Sequence, residues 1–562
     1  MNYVPPSTKT SQIESRSYRA IVSLTMRARQ KRVLSHPAYL VGLAALLTAL
    51  LVQSGELGSI DSTIRLQTTH SFWTSEPSVP DNSPELGVAG KNGRIYATYG
   101  MGQSLVMLPA DMAGTYLARL RLFSNFAEHD PGIRQIVVSY STNILVSVLT
   151  VLVCMRWLRL LEFTANQAIA GALMLLFGTT FLHYTQNMME NSLIFLLTLT
   201  GLTFQYEWLR TGRIGPLAIG SLAIGANLLI RLTTAMDITA AALFVLLVLW
   251  LKQVRGRELL VRLGCYVRVA GPFYAVFLVV DRIYQYCRFG SFFSTYLAVM
   301  AEQQKKADPS LPPDFSWSTP LHEGVLGPLI SPEKSLFLFD PLIVLTLLLS
   351  LLFWKRFGPE LKAFLAAALS LLTIYILFYG RYYDWSGDFA WGDRYITTPV
   401  QLLAMISIPL LLRHRPNVAK IVWRLGLAIA TVSVAIQLAS IAFWHPLEIH
   451  QMETLGHPTF VVGLRFKNIA AVTLGKVDQW GLSNEDTREV GGIHSDTPYF
   501  LPFLLNKDGS VSRTIADGLI AAWMIALAAL IAVLLLIQRK ARRRDFATSS
   551  PPADILMKSN GY

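Results

Sequence analysis

Three stretches of the chain hold acids, cations and aromatic rings at spacings suited to chemistry on a charged, hydroxylated substrate. The first is GSIDSTIRLQ, residues 58–67, directly after the apolar run AYLVGLAALLTALLVQ. Asp61 lies about one turn past the end of that run, and Arg65 follows one helical turn later. A carboxylate at the partly dry mouth of a membrane span can take a proton from a hydroxyl, as a general base does. The plain alternative is an interface acid that starts a loop.

The second stretch is YGRYYDWSGDFAWGDRYITTP, residues 379–399, with Arg381, Asp384, Asp388, Asp393, Arg394, Trp385 and Trp391. Tyr and Trp at this depth often form only an aromatic belt. A belt does not require three acids and two arginines within residues 381–394, whereas a sugar platform beside a phosphate clamp does. On that reading Trp385 and Trp391 stack on a sugar, and Asp388 and Asp393 bind its hydroxyls or hold Arg394. The third stretch, residues 281–340, carries Arg282, Arg288, Lys305, Lys306 and Lys334. Arg231 in NLLIRLTTAMD and His183 and Glu190 in LHYTQNMMENS complete the set.

These residues need a frame, and hydropathy supplies one. The 562 residues are 52% hydrophobic and 15% charged, a composition for a polytopic membrane protein. Apolar runs predict twelve transmembrane helices near 38–54, 136–155, 164–182, 190–208, 214–231, 236–251, 263–281, 336–354, 361–379, 396–412, 423–443 and 516–537. The expected fold class is therefore all-α. Residues 101–120 are left out of the count because Pro109 and Asp111 sit at their centre, and a central Asp costs about 3 kcal/mol to insert. With that segment lying on the surface as an amphipathic helix, clusters such as Arg156/Arg159, Arg210/Arg213 and Arg539–Arg544 all fall on the side of the N-terminus. The positive-inside rule then places both ends of the chain in the cytoplasm. Arg119, Arg121 and Arg134 are exceptions, on the outer side.

The formal charge of +13 is thus a topology signal, and no nucleic-acid partner is expected. Cys154, Cys265 and Cys287 have no metal-ligand spacing. Residues 1–36 read as a basic cytoplasmic tail ahead of an uncleaved signal anchor. The region 37–443 would hold the transmembrane core, with outer loops 55–135, 282–335 and 380–395. Residues 444–515 would form an outer cap, 516–538 the last span and 539–562 a cytoplasmic tail. Every stretch that could do chemistry then opens on the outer face. That face has no nucleotide-sugar pool, and the chain has no Gly-rich phosphate loop, so an enzyme working there draws on a donor carried in the bilayer.

In order and topology these features resemble the polyprenyl-phosphate-dependent glycosyltransferases of the GT-C superfamily, which includes protein O-mannosyltransferases and the aminoarabinose transferase of lipid A. The resemblance rests on GSIDSTIRLQ, KNGRIYATYGMGQSLVMLP, HYTQNMMENSLIFLLTL, ANLLIRLTTAMD, YCRFGSFFSTY, STPLHEGVLGPLISPEKSLFLFDPL and WGDRYITTP, across about residues 38–412. It implies an integral membrane glycosyltransferase of the bacterial inner membrane, working on the periplasmic face with inversion at the anomeric carbon. It makes Asp61 the catalytic base. Arg231, Arg288, Lys334 and Arg394 would hold the donor phosphate; Arg65, Glu190, Trp385, Asp388, Trp391 and Asp393 would contact substrate. The partners are a polyprenyl-phosphate sugar, a lipid, glycan or protein acceptor, and the bilayer. Many members carry an acidic pair in the first loop, whereas Asp61 stands between Ile60 and Ser62. No cofactor is expected, with a divalent metal the other way to neutralise a leaving phosphate. The competing reading is a twelve-helix transporter or flippase of a lipid-linked intermediate, which would place its polar site near the bilayer midplane.

Overall fold

The computed structural model describes residues 37–81, 83–121, 123, 131–387, 390–444, 446–453, 456–477 and 497–549. The basic tail 1–36, residues 550–562 and Asp388 lie outside them. The protein is an all-α polytopic membrane protein, and a helix occupies each of the twelve expected spans. Among the described residues six helices are long and apolar enough to cross a membrane: Ile133–Leu160, Leu232–Leu251, Gly256–Phe289, Pro359–Tyr379, Lys420–Ser440 and Arg513–Arg543. Shorter apolar helices, Pro37–Val52, Ala165–Gly178, Ile214–Leu229 and Thr397–Arg413, fill the positions between them. The expected span 396–412 is a pair of short helices, Thr397–Ala404 and Ser407–Arg413.

Helix Asn191–Thr211 is buried along most of its length and forms a central post. At its basic end Trp157 lies edge-on to Tyr206, Phe244 and Phe364, with ring centroids 5.8, 5.5 and 5.1 Å away. Four helices thereby share one aromatic knot, where each edge-to-face pair adds about 1 kcal/mol beyond burial.

The first outer loop folds on the opposite end. Helix α1, Ile60–Ser71, is followed by a two-stranded antiparallel hairpin, Gly87–Ala89 with Ile95–Ala97. Helix α2, Gly102–Ala118, is then the segment that hydropathy leaves ambiguous. Its polar residues Gln103, Ser104 and Asp111 are buried against protein, while Leu105, Val106, Met112 and Tyr116 are exposed. That distribution is the reverse of a water-facing helix and suits one lying in the membrane interface. Asp111, fully buried, is held by Arg134 Nε, by Trp73 Nε1 at 2.8 Å and by His70 Nδ1 at 3.0 Å. Arg134, which the positive-inside rule leaves as an exception, is the partner of a buried acid.

The segment expected to form a cap contains, among the described residues, helices Leu447–Glu453, Val461–Thr473 and Leu501–Asp508; residues 478–496 lie outside the described ones. Arg465 is fully buried and grips both carboxylate oxygens of Glu448 at 2.6 Å, with further bonds to the carbonyls of Ser440, Phe443 and Trp444.

Losing one partner of a buried ion pair strands the other. Arg134→Ala should therefore destabilise the fold by about 3 kcal/mol, read as a clear drop in the thermal unfolding midpoint of the detergent-solubilised protein. An unchanged midpoint would mean that the Asp111 cluster does not hold the first loop.

Candidate active site

The bonding of the segment around Asp61 sets its position. Gly58 has φ +79°, and a Cβ there would meet Asn187 Oδ1 at 2.3 Å, so only glycine lets the chain turn this closely against the segment before Glu190. Ser59 caps α1 by accepting from Ser62 N at 3.3 Å, and Ser62 Oγ donates to Met188 O at 2.5 Å. Asp61 therefore stands in the first turn of a capped helix, where the helix dipole favours a negative charge. Arg65, one turn on, points at the same space.

Four other segments meet this turn. Glu190 immediately precedes the central helix Asn191–Thr211. Arg231 lies in extended backbone between two 3-10 turns. Arg394 precedes helix Thr397–Ala404, and Asn191 fixes that loop by donating to Arg394 O and to Thr397 Oγ1. Tyr99 follows the hairpin in a turn where Gly100 approaches the Ile230 carbonyl so closely that a Cβ would sit 2.4 Å from it.

The side chains form one network. Asp61 Oδ2 pairs with Arg394 Nη1 at 2.7 Å, and Asp61 Oδ1 accepts from the Tyr99 hydroxyl at 2.7 Å. Glu190 pairs with Arg65 Nη2 at 2.9 Å and with Arg231. The Arg65 guanidinium lies 4.1 Å from the Tyr99 ring centre, while Arg231 and Arg394 lie 5.1 and 5.3 Å from that of Tyr395. Tyr395 in turn stacks on Tyr379 at 4.1 Å. Within the network three guanidiniums face two carboxylates, and Lys305, Glu302 and Asp384 bring the ionic lining of the surrounding cavity to four cations and four acids. All five ionic residues of the network line that cavity, of about 760 Å³ and walled further by helix Tyr296–Ala307 and by Tyr379, Tyr382 and Asp384.

Burial pushes the Asp61 carboxyl up, but Arg394 and Arg65 together pull it below its usual range. Glu190 is held low in the same way, with Arg65 and Arg231 outweighing burial. Both are anions at neutral pH. Among the described residues no group of three or more His, Cys, Asp or Glu converges as a metal-ligand set, and the oxygens of Asp61 and Glu190 are engaged by arginine and tyrosine.

The other candidates that residue type and spacing suggest sit elsewhere, because a buried cation or ring can satisfy itself on protein. Arg288 does not line the cavity: it donates to Ala97 O at 2.6 Å and Gln285 Oε1 at 2.9 Å and lies over Tyr284, bracing the hairpin that leads to Tyr99. Lys334 is buried and donates to Ala390 O at 2.8 Å; burial lowers its pKa to about 8. Asp393, raised by burial to about 7, accepts from Tyr395 N at 2.9 Å and shapes the Arg394 turn. Trp391 is 2% exposed, between His183, Phe339 and Arg465. Trp385 packs on Gly327. Tyr99, Tyr379 and Tyr395 join the site without standing out in the sequence; the TYG turn and the repeated tyrosines of 379–395 are the signal that could have found them.

Neither a protein-family model nor a curated protein matches the sequence. Among solved structures the chain is similar to the oligosaccharyltransferase of Archaeoglobus fulgidus in its apo form, at 14% identity and a TM-score of 0.41 over 81% of this chain. It spans 59% of that protein's length. It is also similar to ArnT from Cupriavidus metallidurans bound to undecaprenyl phosphate, at 15% identity and a TM-score of 0.40, covering 78% of this chain and 70% of that one.

Proposed function

We propose that the protein is a membrane glycosyltransferase that moves a sugar from a polyprenyl-phosphate donor to an acceptor hydroxyl on the face opposite its basic loops. The observation that carries this reading is the pairing, in one cavity, of an ionised Asp61 with a cluster of three arginines. A sugar phosphodiester brings one negative charge and leaves as a phosphate monoester with more. Fixed guanidiniums aimed at that growing charge stabilise the transition state more than the bound donor. Arg231 and Arg394 are the residues proposed to meet the phosphate. Arg65 and Glu190 act as positioning residues, since Glu190 is wedged between Arg65 and Arg231 and fixes where both point.

Asp61 is proposed as the base. It takes the proton of the acceptor hydroxyl as the acceptor oxygen bonds to the anomeric carbon and the bond from that carbon to the phosphate oxygen breaks. Attack and departure on opposite faces of the sugar give inversion. Arg394 touches Asp61 directly, so a single guanidinium can lie between base and leaving group. This places phosphate neutralisation on arginine, and Arg288 and Lys334 are left as structural cations.

The transport reading calls for ionic residues near the middle of the spans. Here they come from loops and helix ends on one side, which favours the enzyme.

Asp61→Asn should lower the transfer of labelled sugar from undecaprenyl-phosphate donors by about 10³-fold with the fold intact; equal rates would remove Asp61 from the chemistry. A second expectation follows from charge. Replacing Arg394 by Gln removes the main cation that holds the Asp61 carboxyl low and leaves burial to raise it. Because the base works only when deprotonated, the acid limb of kcat/KM should move to higher pH in Arg394→Gln, alongside a loss of about 10²-fold. An acid limb that stays in place would mean that Asp61 does not report on catalysis.

A further inference from the structure

A smaller cavity, of about 250 Å³, borders Tyr99 and has none of the three arginines in its lining. It is walled by Ile60 and Ile64 of α1, by the hairpin, and by Gln303 and Gln304 of helix Tyr296–Ala307. It shares Thr98, Tyr99 and Met300 with the 760 Å³ cavity. Tyr99 therefore borders both spaces, while Asp61 lines the larger one and not the smaller. That phenol donates to Asp61 Oδ1, while the other oxygen of the same carboxylate belongs to Arg394. One face of the proposed base looks toward the phosphate clamp and the other is occupied by a hydroxyl of the protein itself.

The two cavities differ in how many charges line them. The larger has four cations, Arg65, Arg231, Lys305 and Arg394, and four acids, Asp61, Glu190, Glu302 and Asp384, the smaller one charged residue, Glu85. An anionic donor finds its cations only in the first. The second, with an apolar floor of isoleucine, leucine and methionine and a rim of Glu85 and Gln304, suits an uncharged hydroxylated ring of about one sugar unit. Gln303 has no spare capacity there, since its amide exchanges two hydrogen bonds with the backbone of Ala89 at 3.0 and 2.7 Å.

Building on the glycosyltransferase reading, we infer that the 250 Å³ cavity is the acceptor site, that it takes an uncharged sugar, and that Tyr99 occupies the place of the acceptor hydroxyl on Asp61 until the acceptor displaces it. Tyr99 is suited to that part. Burial and the neighbouring Asp61 push the phenol well above its usual pKa, so it stays a hydrogen-bond donor and never competes as a base. Its contact with Asp61 keeps water from the base while a donor waits. In the transfer step the acceptor O–H gives its proton to Asp61 Oδ1, the acceptor oxygen bonds to the anomeric carbon, and the electron pair of the broken bond leaves on the phosphate. The proton then passes to solvent as Tyr99 returns.

The test uses the full-length protein in phospholipid nanodiscs with labelled undecaprenyl-phosphate hexoses and pentoses. Release of sugar to water and transfer to methyl glycosides are both followed. Tyr99→Phe keeps the ring under Arg65 and removes only the hydroxyl. It should raise release to water, and lower the KM for methyl glycosides, by about tenfold. Gln304→Trp, which fills the smaller cavity from an exposed helix face, should raise the KM for methyl glycosides about tenfold while the KM for donor stays unchanged. Hexose 6-phosphates should be poorer acceptors than methyl glycosides by about tenfold.

A wild type that releases no sugar from any donor would end the glycosyltransferase reading itself. If the wild type is active but Tyr99→Phe changes neither release nor KM, Tyr99 does not hold the acceptor position. A rise in donor KM in Gln304→Trp would give the smaller cavity to the donor. Transfer to neither acceptor probe, or better transfer to the 6-phosphates, would overturn the uncharged-sugar class.

Discussion

The candidate active site depends on keeping two carboxylates charged. Glu190 is buried and Asp61 half-buried among three arginines, and an unpaired ion in such a place costs several kcal/mol. Arginine is the residue that can meet this demand, because its planar fork stays charged and can serve a carboxylate and stack on a ring together. Arg65, Arg231 and Arg394 each do both. The requirement to pair these charges is also what draws four segments, far apart in sequence, onto the α1 turn. The same interaction that fixes the loops thereby leaves three guanidiniums lining one cavity.

The transmembrane helices serve this cluster from below. The aromatic knot around Trp157 ties four helices at the basic end, far along the chain from the charged residues. At the other end, the central helix presents Glu190 and Asn191 side by side, one bonding Arg65 and Arg231, the other holding the Arg394 loop. The segment 447–473 adds a fully buried ion pair, Glu448 with Arg465, and Arg465 rests on Trp391, three residues from Arg394. The Arg394 turn is therefore supported on both sides, from the central helix and from that segment.

Much of this is legible in the chain itself, for physical reasons that differ by residue. The spans follow from hydropathy, and the surface placement of Gly102–Ala118 follows from the cost of Asp111 and the sign of the basic loops. Asp61, Arg65, Glu190, Arg231 and Arg394 stand out because ionisable groups beside a span are costly unless they have partners. That rule does not say which partner. Arg288 and Lys334 obey it by binding backbone carbonyls, and no pattern of residue types distinguishes a carbonyl from a ligand phosphate. Trp391 fills a core that exists only once residues 447–473 fold against it. The part of Tyr99 is hidden for a related reason: its hydroxyl matters only after the hairpin brings it to Asp61, across 38 residues of chain.

The central claim is that the arginine cluster beside Asp61 is the seat of the donor phosphate. The most direct measurement is a structure of the protein in nanodiscs with a non-hydrolysable undecaprenyl-phosphate sugar. The account predicts phosphate oxygens within hydrogen-bond distance of Arg231 and Arg394, with the anomeric carbon turned toward Asp61. A phosphate bound instead by Lys334 or Arg288, with Asp61 still closed off by Tyr99 and Arg394, would contradict it.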